Sequence, residues 1–126
     1  MIHFVIGLRP TAEWGMNELY SQKKRRNDRM RQAEMVHLMV RAAIRQQVRP
    51  VQQFRKPVIV TIWFNSRLDV DNHGFLSKLI IDGMKGLLIE DDDRKHVAGL
   101  EQYFHDDDPN EVFVDVREKN EQGGVS

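Results

Sequence analysis

Two carboxylates stand one residue apart, at Asp69 and Asp71, in the run Arg67-Leu-Asp-Val-Asp-Asn-His-Gly74. Lys78 and Asp82 follow, then a second acidic group at Glu90-Asp-Asp-Asp93. Carboxylates held close together repel, and one of them gains a raised pKa unless a cation sits between them. Mg2+ and Mn2+ take oxygen ligands in octahedral geometry, and Mg2+ keeps waters that a substrate phosphate can replace. These residue types can therefore hold a hard divalent cation against a phosphate. On an extended segment Asp69 and Asp71 point the same way. Asp91 and Asp92 then complete the site from a second segment, with one amphipathic helix as the rigid spacer that folds the two groups together.

Competing readings of the same residues are plain. Asp69-x-Asp71-x-x-Gly74 matches positions 1, 3 and 6 of a calcium-binding loop. His73 and Ile80 then fall where an oxygen ligand and a bidentate Glu are needed, so that match fails. Any one loop Asp is ordinarily solvated or caps a helix. Asp106-Asp-Asp108 reads as an Asp-rich turn, and Asp93 as an extension into solvent. Asp82 either joins the site or pairs with Lys78, with the less favourable polarity and a worth of about 0.2–0.5 kcal/mol at most.

The elements that must position these residues follow from periodicity. Ile2 to Leu8 is a short apolar run ending at Arg9-Pro10, a buried strand. Residues 9–19 read as a loop. Tyr20 to Val48 reads as one long helix, with Met35, Leu38, Met39, Ala42 and Ala43 on its apolar stripe and Pro50 just past its end. Val58-Ile-Val-Thr-Ile-Trp-Phe64 is β-branched and aromatic, a central strand. Phe75, Leu76, Leu79, Ile80, Gly83, Met84 and Leu87 mark an amphipathic helix ending near Gly86, with Lys78, Asp82 and Lys85 on its opposite face. Val97 to His105 and Val112 to Val116 read as two strands forming a hairpin across the Asp106–Asn110 turn. The order β-α-β-α-β-β places the chain in the α/β or α+β class, with a small mixed sheet. Residues 1–117 form a single domain, and 118–126 a flexible tail.

Composition narrows the choices. The chain has 126 residues and no cysteine, so disulfides, zinc–thiolate sites and thiol nucleophiles are excluded, which fits a reducing cytoplasm. No apolar run is long enough to span a membrane. Net charge is zero, yet residues 1–60 carry 12 Lys/Arg against 4 Asp/Glu, leaving 7 against 15 in residues 61–126. The segment Lys23, Lys24, Arg25, Arg26, Arg29 and Arg31 holds six cations against Asp28 alone. Such a cluster grips polyanionic backbone, while the acidic half holds metal.

In combination, Arg67-x-Asp69-x-Asp71-Asn72, a Lys, an Asp four residues later, Gly86 and Glu90-Asp91-Asp92 resemble the RusA-type Holliday junction resolvases. The similarity covers roughly residues 57–116. It implies a homodimeric nuclease of the cytoplasm that uses Mg2+, with Mn2+ as substitute, to cut four-way DNA junctions by paired phosphodiester hydrolysis. Asp69, Asp71 and Asp92 would be the catalytic metal ligands, Asp91 the alternative to Asp92, and Lys78 the catalytic lysine. Arg67 and Asn72 would join the basic segment in contacting DNA, and Asn17 matches an Asn of the family loop. The family has two residues between its Asn and Lys, whereas His73-Gly-Phe-Leu-Ser77 makes five. Lys78 keeps its place if the extra residues are absorbed before the helix, at Gly74; otherwise His73 stands nearer the phosphate. Trp14 and Tyr20 are candidates for stacking on bases. Two alternatives keep the same residues in other roles. One is a nuclease of other branched DNA. The other is a non-catalytic DNA- or junction-binding module whose acidic cluster is a structural metal site.

Overall fold

The computed structural model describes residues 1–9, 26–65 and 70–120, with the backbone alone at 26–29 and 70–73. Its elements are β1 (Ile2–Ile6), α1 (Arg26–Gln47), β2 (Val58–Phe64), α2 (Val70–Met84), β3 (Val97–Phe104) and β4 (Val112–Glu118). This is the expected β-α-β-α-β-β order, an α+β fold. The residues before Arg26 in the expected long helix lie outside the described residues, as do 121–126. Glu118, expected in the tail, is the last residue of β4 and pairs with Val58.

β2 is an interior strand, as its β-branched and largely apolar composition leads one to expect. The sheet order is β1-β4-β2-β3. β4 runs antiparallel to both β1 and β2, and β3 runs parallel to β2. The expected β3–β4 hairpin does not form, because β2 lies between the two strands. Local sequence favours neighbours in the chain. Here β2 takes one partner on each edge, and residues 105–111 cross its C-terminal end instead of turning tightly. His105 N–H donates to the Phe64 carbonyl there, and Asn65 Nδ2 donates to the Asp107 carbonyl.

Alternation decides which sheet face is covered. Phe4, Ile6, Val58, Val60, Ile62, Phe64, Val112, Val114 and Val116 are buried beneath the helices. From α1 the core receives Val36, Val40, Ala43 and Ile44. The expected stripe is displaced by about one position: Met35 and Leu38 stand exposed and Met39 is half-buried. Ala43 of that stripe is buried and Met39 packs against the core, so the expectation holds at those two positions and misses at Met35 and Leu38. α2 contributes Leu76, Leu79, Ile80 and Met84, as expected. The helices meet closely at Gly83, where a Cβ would stand 2.9 Å from the Val40 Cβ. On the edge strand β1, Gln47 from the end of α1 donates to the Val5 carbonyl and accepts from the Val5 N–H, blunting an open edge.

Candidate active site

α2 starts directly behind β2, after the short segment 66–69, and carries the functional residues along one face. Asp71 lies in its first turn. The extended segment expected to carry both Asp69 and Asp71 therefore ends before Asp71, which is helical. An acid in the first turn is itself favourable at the positive end of the helix. Asp69 and Arg67 lie outside the described residues, and Asn72 and His73 are described by backbone alone.

The helix is continuous through Gly74, so the extra residues before Lys78 are part of it. Lys78 is exposed. It follows Asp71 by 78 − 71 = 7 residues, hence it lies about 20° away around the axis and about 10 Å along it. The lysine thus keeps the face of Asp71 but stands two turns from it.

The far end of α2 gathers the second acidic group. Gly86, with φ +82°, turns the chain back after Met84. That left-handed position suits glycine. Arg41 Nη2 donates to the Lys85 carbonyl at 2.7 Å, satisfying a backbone acceptor at the end of the helix. Leu88 and Ile89 bury themselves beneath the turn and bring Asp91 and Asp92 back onto the helix. Lys85 Nζ stands 3.3 Å from Asp92 Oδ1, 3.7 Å from Asp82 Oδ1 and 3.8 Å from Asp91 Oδ1. One ammonium serves three carboxylates, so the group keeps an excess of two negative charges when all are ionised. Burial pushes the Asp82 carboxyl up from its ordinary value, and the neighbouring Asp92 adds to this against the pull of Lys85. Asp92 moves the other way, held down first by the hydrogen bond with Asp82 and then by Lys85. Lys85 is raised, chiefly by Asp92. His37 of α1 also lowers Asp82 electrostatically.

Asp93 does not extend idly into solvent. It accepts from the Lys95 N–H and pairs with His96, whose other nitrogen stands 3.4 Å from Glu90.

Of the first acidic group the structure describes the Asp71 backbone, far along α2 from the second. Asp71 and Asp82 are 82 − 71 = 11 residues apart on a single helix, about 16 Å along its axis. Asp92 sits with Asp82. The helix is a spacer that sets the Asp71 backbone at one end and the second acidic group at the other, with Asp69 outside the described residues. Among the described residues no three carboxylates or imidazoles are grouped to hold a metal. The distances around Lys85 are those of an ammonium, longer than the roughly 2.1 Å of Mg2+–oxygen bonds. Asp82, Asp91 and Asp92 supply carboxylate oxygens, the donor type a hard cation takes, and Lys85 stands among them.

Of the basic segment, Lys23, Lys24 and Arg25, with Asn17, Trp14 and Tyr20 before them, lie outside the described residues. Arg26 and Arg29 belong to the first turns of α1, and Arg31 beside them is exposed. Lys85 and Arg41 were the residues that motif spacing passed over. Lys85 had a visible signal, three residues after Asp82 on the polar face. Arg41 had none. No helix among the described residues is long and apolar enough to cross a membrane. Comparison with family models, with curated proteins and with solved structures found no match for this chain.

Proposed function

We propose that this protein is a Mg2+-dependent endodeoxyribonuclease that resolves four-way DNA junctions, acting as a homodimer in the cytoplasm. The observation that carries the reading is the placement of the acids: Asp71 at the start of α2, and Asp91, Asp92 and Asp82 converging at its end. The resemblance of the motif to the resolvases supplies the substrate class.

The separation along α2 gives the dimer a specific role. An isologous dimer seats the Asp92 end of one copy against the Asp69–Asp71 end of the other, twice, by symmetry. Asp69 and Asp71 of one copy and Asp92 of its partner would hold the ion, with Asp91 beside it. Exposed Met30, Met35 and Leu38 on α1 give such a dimer apolar surface to bury. When bound, Mg2+ polarises the scissile phosphate and supplies a water of lowered pKa. Lys78, exposed on the same helix face, neutralises charge growing on the phosphate oxygens. Asp82 first and Lys85 after it favour the ionised form of Asp92, the form that would bind the ion. Arg26, Arg29 and Arg31, with Lys23, Lys24 and Arg25 before them, hold backbone phosphates of the arms, with Arg67 and Asn72 nearer the cut.

The test is cleavage of a labelled four-way junction against a linear duplex of the same sequence, with wild type and Asp71→Asn. The proposal expects Mg2+-dependent paired nicks near the branch point, lost in the variant while binding persists. A second reading rests on Lys85 already filling the cation position between Asp82, Asp91 and Asp92. On that reading the protein binds junctions without cutting them. Binding with no cut in Mg2+ or Mn2+ would favour it, and equal cutting of linear duplex would reject the junction as substrate.

A further inference from the structure

The sheet face away from the helices carries chemistry that the nuclease reading does not use. Phe113 pairs across β4 and β2 with Trp63, and Trp63 with Tyr103 of β3. Trp63 and Tyr103 lie nearly parallel with centroids 6.1 Å apart. Phe113 also meets the His105 ring at 4.4 Å and the His3 ring at 6.4 Å. Between these rings opens a cavity of about 340 Å3, lined by His3, Trp63, His105, Asp107, Phe113 and Asp115.

The polar groups in this cavity select the sign of its occupant. Asp107 makes no ion pair among the described residues, and its backbone is fixed on both sides. Asp115 pairs with His3 at the cavity wall. Both His105 ring nitrogens are engaged, Nε2 with the Glu111 carbonyl and Nδ1 accepting from the Asp107 N–H at 3.1 Å. Asp106 and Asp108 add negative charge on the adjoining turn. A phosphate-bearing ligand would be repelled here. Aromatic faces with carboxylates at their edges attract a cation, and indole is the strongest of the ring faces. Among organic cations the guanidinium is flat, stacks on rings, is weakly hydrated and pairs with carboxylates through two N–H bonds. A cavity of this size, at the lower end for small-ligand sites, suits one side chain.

We propose that this cavity is a receptor for an arginine side chain presented by a partner protein. Two-point pairing with Asp107 and stacking on the Trp63 indole fix the guanidinium, and Phe113 walls the aliphatic stem. The site stands independently of the nuclease reading, since none of its residues belongs to the acidic groups of α2.

The test uses Trp14→Phe, which leaves Trp63 as the sole indole reporter, and three probes: Nα-acetyl-arginine-N-methylamide, its uncharged citrulline counterpart and spermidine. The expected result is a saturable change in Trp63 emission with the arginine probe and binding at least about tenfold weaker with citrulline. Asp107→Asn keeps the backbone bonds of the turn and should weaken the arginine probe by about fivefold or more, while Asp108→Asn weakens it by less than about twofold. Equal responses to arginine and citrulline, saturation by spermidine alone, or no response to arginine in a chain whose cooperative thermal unfolding is intact would each overturn the proposal.

Discussion

Asp91–Asp93 and Asp106–Asp108 are runs of identical composition on either side of β3, and they do opposite things. In the first, Asp91 and Asp92 fold back onto a helix that offers Asp82 and Lys85, and four charged groups share one site. In the second, the aspartates serve their own turn: Asp108 accepts from the Asn110 N–H at 2.8 Å, and the Asp107 N–H donates to His105. Charge density is the same in both. What differs is whether a second element brings oxygen donors and a cation to meet the run. Gly86 makes that possible for the first by reversing the chain at the end of α2.

The largest effect should separate the two runs by activity. Asp92→Asn is expected to lower Mg2+-dependent junction cleavage by about 100-fold or more, and Asp108→Asn to leave it within about twofold. Measured as single-turnover rates, equal losses would erase the distinction. A smaller effect tests the scaffold under the first run. Gly83→Val drives side-chain atoms into Val40 and should cost about 1–3 kcal/mol in urea denaturation, because the α1–α2 contact has no room to give. A cost near zero would mean that the helices pack differently and that Asp82 is placed otherwise. The smallest sharpens the role of the ammonium. Lys85→Met should cost at most about 1 kcal/mol of stability, since the lysine is half-exposed. The same change should enlarge the rise in Tm on adding Mg2+, because three carboxylates lose their internal cation. An unchanged Mg2+ response would show that the first run does not take up the ion.

Much of the frame was legible because it is local. Val58–Phe64 announced itself as a central strand through β-branched and aromatic residues, and the α2 core through the spacing of Leu76, Leu79, Ile80 and Met84. Non-local pairing was not legible. Nothing in residues 97–116 says that β2 will insert between β3 and β4, so a hairpin was the natural expectation. Nor could spacing choose between the Met35–Leu38 and Val36–Val40 stripes of α1, since both are apolar and differ only in which one meets Gly83. At the candidate site the residue types were readable and their grouping was not. The sequence places Asp71 and Asp92 in one motif, and the length of α2 is what holds them apart. Lys85, which the fold puts at the centre of the acids, reads in sequence as one more surface lysine.

The most direct measurement mixes two inactive proteins. Asp71→Asn and Asp92→Asn are assayed alone and after joint refolding, on a four-way junction with Mg2+. If the site is completed across a dimer, each variant alone is inactive. A mixed dimer then rebuilds one intact site from Asp71 of one copy and Asp92 of the other, and random pairing returns about a quarter of wild-type nicking. An active wild type with an inactive mixture would contradict the shared site, and a wild type that binds junctions without cutting them would contradict the nuclease.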